Sequence, residues 1–396
     1  MKAFCFRFLR RLLCLLFLPL FCLAFSITVA AEEDAASAGS SLDELYEEQL
    51  EASGADELWN SLPNQTKTLL DTLGITQFNA DSFSSLTPEG ITDSLLALLT
   101  EQAALPLRTA GILLGVVLLY ALMDGMRETV KEEALSKVFG VICALTACTA
   151  LLLPLSGCIG RVRDAAESTS VFMFSFVPVY SGVMLTSGQP MGAASYQTVV
   201  LFAAELISLA ATRLIVPLMT VSLALGLTGS FSPGMKLDAA GGLINKACSW
   251  LLGLTTTLFV GLLSLQGLVG AAADSVTGRA IRFSLNSFVP VVGGALSEAF
   301  GSVQGCLRLL KSTLGGFGIL ATALIVLPPL LECALWSLSL SLCTMMADMF
   351  SLSSLSSLVK EEQGVLKTLM GVLAACSLFM IIATTIVTMA GGGASA

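Results

Sequence analysis

Two opposite charges within one apolar segment are the residues of this chain best placed to do chemistry. Glu205 and Arg213 both fall in the run at about 196–228, roughly 12 Å apart if that run is a helix. A charge inside a membrane must find a partner, a cavity or the interface, so both are candidates to line a polar path. Glu298 and Glu332 are further candidates in the second half of the chain. The competing reading is structural: such charges pair with other helices to hold a bundle, or snorkel to the membrane edge. The chain has no histidine, which removes the usual general base, the commonest metal ligand and every Ser-His or Cys-His nucleophile. Gly315-Gly316 has no Walker lysine and no preceding strand, so it is not a nucleotide loop. No catalytic constellation, metal site or cofactor site is expected, and the chain reads as a non-enzyme.

A second kind of signal is repetition. Ser175-Phe176-Val177-Pro178-Val179 recurs as Ser287-Phe288-Val289-Pro290-Val291, each followed three residues on by a glycine, Gly182 and Gly294. In so apolar a chain the pentapeptide alone is weak evidence, but its flanks repeat too. Gly157, Gly160 and Asp164 match Gly267, Gly270 and Asp274, and Leu214-Ile215-Val216 before Pro217 matches Leu324-Ile325-Val326 before Pro328. These matches argue for an internal duplication. Proline has no N–H for the helical ladder, so apolar segments broken at matching places in two halves point to where a membrane protein handles its substrate. Pro178, Gly182, Pro290 and Gly294 are therefore candidate pathway positions, the alternative being a pair of ordinary proline kinks.

The elements that must position these residues are membrane helices. Hydrophobic residues make up 55% of the chain and charged residues 12%, with a mean hydropathy of +0.85. A soluble domain carries about a quarter charged residues. The net charge of −9 is unevenly placed: residues 32–104 hold fifteen of the 29 acidic residues against one base, Lys67. That acidic segment disfavours contact with nucleic acid or anionic lipid. The eleven cysteines avoid residues 32–104 and form no C-x-x-C, so they read as small buried hydrophobes rather than disulfides or zinc ligands.

From the N-terminus, a basic start (Lys2, Arg7, Arg10, Arg11), an apolar run from Leu12 to about Phe25 and small residues at Val29-Ala30-Ala31 predict a signal peptide over 1–31, cut after Ala31. An uncleaved signal anchor is the alternative. Either places residues 32–104 outside the cytoplasm as a small helical domain. Ser41-Leu42-Asp43-Glu44 has capping-box spacing ahead of a stripe of Leu42, Leu45, Tyr46 and Leu50. Thr87-Pro88-Glu89 predicts a second helix start, followed by Ile91, Leu95, Leu98 and Leu99 on one face. A domain of that size needs a partner surface, on the membrane part or on another protein.

Spanning runs are expected at roughly 107–123, 138–160, 196–228, 247–270 and 366–390, with a sixth, about 313–342, interrupted by Pro328-Pro329. Residues 161–175 and 271–287 mix Arg and Asp with apolar residues and read as interfacial segments leading into the two broken runs. Basic residues divide seven to six between the two sides, so they do not orient the chain. Three crossings per repeat would invert the two halves, while two plus a re-entrant piece would leave them parallel, and both stay open. Gly111 and Gly115, Gly253 and Gly261, and the Gly315-Gly316-x-Gly318 cluster suit close helix packing.

Across residues 249–318 these pieces form a pattern. Ser249-Trp250-Leu251-Leu252-Gly253-Leu254, Phe259-Val260-Gly261, Ser264-Leu265-Gln266-Gly267, Asp274-Ser275-Val276-Thr277, Val289-Pro290-Val291-Val292-Gly293 and Leu307-Arg308-Leu309-Leu310-Lys311 resemble the stage III sporulation protein AE family. Phe176-Val177-Pro178-Val179-Tyr180, the leader and the acidic segment are similar to that family as well. The resemblance implies a polytopic protein of the mother-cell membrane around the forespore. It implies an export-channel component acting with the other stage III sporulation A proteins and the forespore protein Q to sustain late forespore gene expression. It brings no catalytic residues with it.

The expected architecture is all-α: a polytopic helical membrane protein with an internal duplication and a small N-terminal helical extracytoplasmic domain. Its parts are 1–31 signal peptide, 32–104 acidic domain, 105–137 first transmembrane helix and loop, 138–246 and 247–358 membrane repeats, and 359–396 C-terminal helix and tail. The expected function is that of a membrane subunit of a sporulation transport or secretion complex, with membrane lipid and the other sporulation proteins as partners and no nucleic acid. A self-sufficient small-solute permease and a non-conducting scaffold are the alternatives.

Overall fold

The computed structural model describes residue 50 and residues 53–75, 88–130, 133–229, 237–288 and 293–392. The signal peptide, the capping box at Ser41, Thr87 and Pro290 lie outside the described residues. Two short helices come first, α1 (Ala55–Ser61) and α2 (Asn64–Thr72). Gly54 precedes α1 and Gly74 follows α2, each at a positive φ that only glycine adopts without strain. Their apolar residues Leu58, Leu62, Leu69, Leu70 and Ile75 are buried and belong to the same core as the long helices, α1 against α4 and α2 against α8 as defined below. The partner surface that so small a unit needs is thus the membrane bundle itself.

The bundle is built from α3 (Pro88–Val130), α4 (Glu133–Thr186), α5 (Pro190–Leu209), a π-helical turn (Ala210–Ile215), α6 (Val216–Gly229), α7 (Leu237–Phe288), α8 (Gly293–Met349) and α9 (Ser353–Gly392). No strand occurs among the described residues. Among the described residues six stretches are long and apolar enough to cross a membrane: Thr92–Met123, Val138–Thr186, Pro190–Gly229, Ala240–Val276, Gly305–Met349 and Ser353–Ile386. The chain is therefore a multi-pass helical membrane protein, and each expected run coincides with one of these stretches, the last, 366–390, passing beyond Ile386 but staying within α9.

The differences from expectation come mostly from proline. Helix α3 starts at Pro88, where proline's missing N–H costs nothing, and then runs straight through Pro106. The boundary expected at 104–105 is therefore interior to one helix. Helix α4 passes through Pro154 and Pro178, and α8 through Pro328 and Pro329, all without leaving the helical state. The first Phe-Val-Pro-Val run is accordingly part of a continuous helix, not a re-entrant break, and 161–175 is not a separate interfacial segment. Packing against neighbouring helices holds such prolines where an isolated helix would break. Pro217 is treated differently: the wider π turn immediately before it relieves the clash between its ring and the preceding turn.

Helix α8 is the centre, with 89% of its apolar window buried against 17% for α7. It packs on α3, α4 and α9, while α7 packs on α5, α6 and α9 at the periphery. An aromatic ladder on α4 fills the α4–α8 seam. Phe172 and Phe176 stack at 5.6 Å, Phe176 and Tyr180 at 5.4 Å, and Phe317 of α8 meets Phe172 edge-on at 6.3 Å. Gly315 lies under Tyr180 and Gly318 under Phe176, so the glycine cluster exists to admit these rings. The eight cysteines after residue 104 are all buried and unbridged, as small apolar residues would be.

At one end of the bundle a residue from a distant helix caps α5. The residue before that helix, Gln189, makes no side-chain cap. Asp274 of α7 supplies one instead, its carboxylate accepting from Met191 N at 3.0 Å and Gly192 N at 2.8 Å. The helices touch there, since a methyl on Gly270 would stand 3.1 Å from Gly192 Cα. Asp274→Ala should cost about 1–2 kcal/mol, the range for losing a cap, while Asp274→Asn, which retains one acceptor, should cost less. Thermal unfolding in detergent measures both, and equal losses would show that the cap is not what holds the contact.

Candidate functional site

The sequence candidates divide sharply in their surroundings. Pro178 and Gly182 are exposed on the outer face of α4, and a methyl on Gly182 would meet nothing within 4 Å. Phe176, Val177 and Tyr180 are the residues of that stretch that turn inward. Glu205 and Arg213 are likewise exposed, on α5 and on the π turn, and neither makes a hydrogen bond or ion pair among the described residues. They do not pair with each other. Gly294 and Glu298 lie in the first turns of α8, where side chains are not described. Of the candidates whose side chains are described, Glu332 alone is in the interior.

Glu332 sits three residues after Pro329 on α8 and forms an ion pair with Arg161 of α4. Both guanidinium Nε and Nη2 donate to the carboxylate, the fork geometry in which arginine binds a carboxylate most strongly. The Cys158 thiol donates to Oε1 at 3.3 Å. Arg161 had looked like an interfacial residue in sequence because Arg163 and Asp164 stand beside it; both of those are exposed, and the 3.6-residue period turns only Arg161 toward α8. About 31 Å further toward the start of α8, on a rise of 1.5 Å per residue, Lys311 is buried and its Nζ donates to Gln189 Oε1 at 2.8 Å. Tyr180 and Tyr196 lie near that level, with ring centroids 5.3 Å apart.

A second polar site had no counterpart in the sequence reading. Glu362 on α9 is fully buried, and neither carboxylate oxygen has a hydrogen-bond partner among the described residues. It is seated on glycine: a methyl on Gly226 of α6 would lie 2.7 Å from its Oε1. Next to it, Glu361 faces Gly241 and Gly242 of α7, where added methyls would lie 3.2 and 3.7 Å from its oxygens. Ser222 of α6 lies 3.3 Å from Asn245 Oδ1 and 3.4 Å from the Gly241 carbonyl, in position to donate to either, and both side chains are buried. Asn245 Nδ2 in turn lies 2.9 Å from where a methyl on Gly364 would be. Three helices thus pinch together on small residues around two adjacent carboxyl groups. In the sequence, Lys360-Glu361-Glu362 stands just before the apolar run expected at 366. The signal that was available is the set of glycines on all three helices.

What the fold and these sites define is a polytopic helical membrane protein that keeps charged groups inside its bundle. The stage III sporulation protein AE family model matches residues 75–391, and the chain belongs to that family. It is similar to stage III sporulation protein AE of Bacillus subtilis (strain 168), 23% identical over 291 residues, which is 72% of each chain. No solved structure matches the chain.

Proposed function

We propose that the chain is a membrane subunit of a sporulation-specific transport or secretion complex between mother cell and forespore, needed for late forespore gene expression. The observation that carries this reading is that the family match extends over all six apolar helices, the ion pair and the glycine-seated carboxyls together. A bundle that only anchored partners would have no use for these buried charges, which are costly to hold in an apolar medium. The other stage III sporulation A proteins and the forespore protein Q are the proposed partners, and the mother-cell membrane around the forespore is the proposed site. Six crossings put residues 88 and 392 on one side, outside the cytoplasm if the leader acts as a signal peptide. Two long helices per repeat, α4 with α5–α6 and α7 with α8, make the proposed halves parallel rather than inverted.

Deleting the gene should stop heat-resistant spore formation and abolish a late forespore reporter, with the chain co-purifying from sporulating cells with the other sporulation proteins. Normal reporter activity in the deletion strain would sink the proposal. The buried charges equally suit a permease working alone. Solute uptake by the purified protein in liposomes, without partners, would favour that second reading.

A further inference from the structure

We infer that Glu362 is a proton-binding site whose occupancy is coupled to the seating of α9 on α6 and α7. The first ground is chemical. An ionised carboxylate buried with no donor is strongly disfavoured, and the group takes up a proton instead. Among the described residues both Glu362 oxygens lack a partner, in an enclosed setting. Among the described residues, the groups that face it supply no cation. Cys148 of α4 is its neighbour there, and that thiol lies 3.5 Å from the Leu227 carbonyl, in position to donate to it. Ser222 of α6 and Asn245 of α7 are neutral and contact each other. On its own helix the adjacent charge is Glu361, of like sign. Lys246 and Lys367 are exposed, and Lys360 is turned to Asp348 of α8 at 3.1 Å, which also accepts from Ser356. The second ground is steric. The carboxyl rests on the bare backbone of Gly226 with no room for even a methyl group, and so no room for a hydration shell. Losing the proton therefore requires α9 to lift from Gly226, and reseating α9 requires the proton to return.

The cradle favours a proton over a metal cation, because a cation would need several converging oxygen ligands, whereas here the hydroxyl and amide contact each other. This inference is independent of what the complex carries, and its first test does not use sporulation. The full-length protein in liposomes is treated with dicyclohexylcarbodiimide, which adds across a protonated carboxyl reached from an apolar phase and leaves an N-acylurea containing the whole reagent. Peptide mass analysis should find the adduct on Glu362 at about pH 6 and several-fold less at about pH 10, beyond the range of ordinary carboxyl groups, with none at that position in Glu362→Gln. An unlabelled Glu362, labelling that does not change with pH, or protection by sodium at fixed pH would each overturn the inference.

The second test separates a proton that is exchanged from one that merely stays. Glu362→Gln mimics the protonated form, so it should insert and accumulate normally, yet lower heat-resistant spore yield by at least about tenfold. A normal yield from this variant would overturn the coupling. Should the variant fail to accumulate, the wild-type labelling profile still decides.

Discussion

Arg161→Leu should destabilise the bundle more than Glu332→Leu does, and the double variant should lose less than the sum of the two. The asymmetry follows from exposure: the Glu332 side chain is 12% exposed and that of Arg161 50%. Removing the arginine strands a carboxylate inside the α4–α8 seam, and stranded buried charges cost about 3–5 kcal/mol. Removing the glutamate leaves a guanidinium on a long stem, half free to reach the membrane edge. Because one partner is half exposed, the coupling should be smaller than for a fully buried pair, about 2 kcal/mol. A double-mutant cycle by denaturation in detergent measures it. Strictly additive losses would mean that the two groups do not support each other.

Gly318→Ala should be among the most damaging single methyl additions in the chain. The new Cβ would fall against the Phe176 ring, with Cε2 only 2.6 Å away. Phe176 cannot rotate clear, because Phe172 and Tyr180 stack on its two sides. Overpacking of this kind costs about 1–3 kcal/mol. Phe176→Leu in the same chain should restore much of the loss by shortening the side chain that is struck. Gly182→Ala is the control: it lies in the repeated motif, but its methyl meets only open space. Thermal unfolding of the three variants measures the effect, and a neutral Gly318→Ala would show that α4 and α8 are less tightly seated than this geometry requires.

The contrast between these glycines shows what was legible in the sequence. Hydropathy found each of the six apolar helices among the described residues, because twenty apolar residues in a row have few alternatives. The Gly315-Gly316-x-Gly318 cluster was correctly read as a packing surface. Proline was over-read. A break inferred from Pro178 presumes that the helix stands alone, whereas α4 is held along its length by α3, α5 and α8. Charge was misread for a related reason. Hydropathy reports that Glu205 and Arg213 sit in an apolar segment, but not which way each faces, and both face outward. Arg161 stands beside other charges and so looked interfacial, yet helical geometry brings its head group to Glu332 of α8, while Glu362 of the charged run before the last apolar stretch is turned fully inward. Which member of a charged group turns inward depends on the neighbouring helix, and one strand of sequence does not contain that neighbour.

The central place of α8 has a consequence for biogenesis. Among the six apolar stretches it is the fifth to leave the ribosome, yet it is the one on which α3 and α4, the first two, and α9, the last, all pack. Until it inserts, the aromatic ladder of α4 has no glycine seam to enter, and Arg161 has no carboxylate. The first four spans must therefore wait in lipid as a loose rim with an unpaired charge, held open for a post that synthesis delivers late. A chain cut short after α7 would present to the membrane quality-control proteases the faces of α3 and α4 that α8 covers in the finished protein.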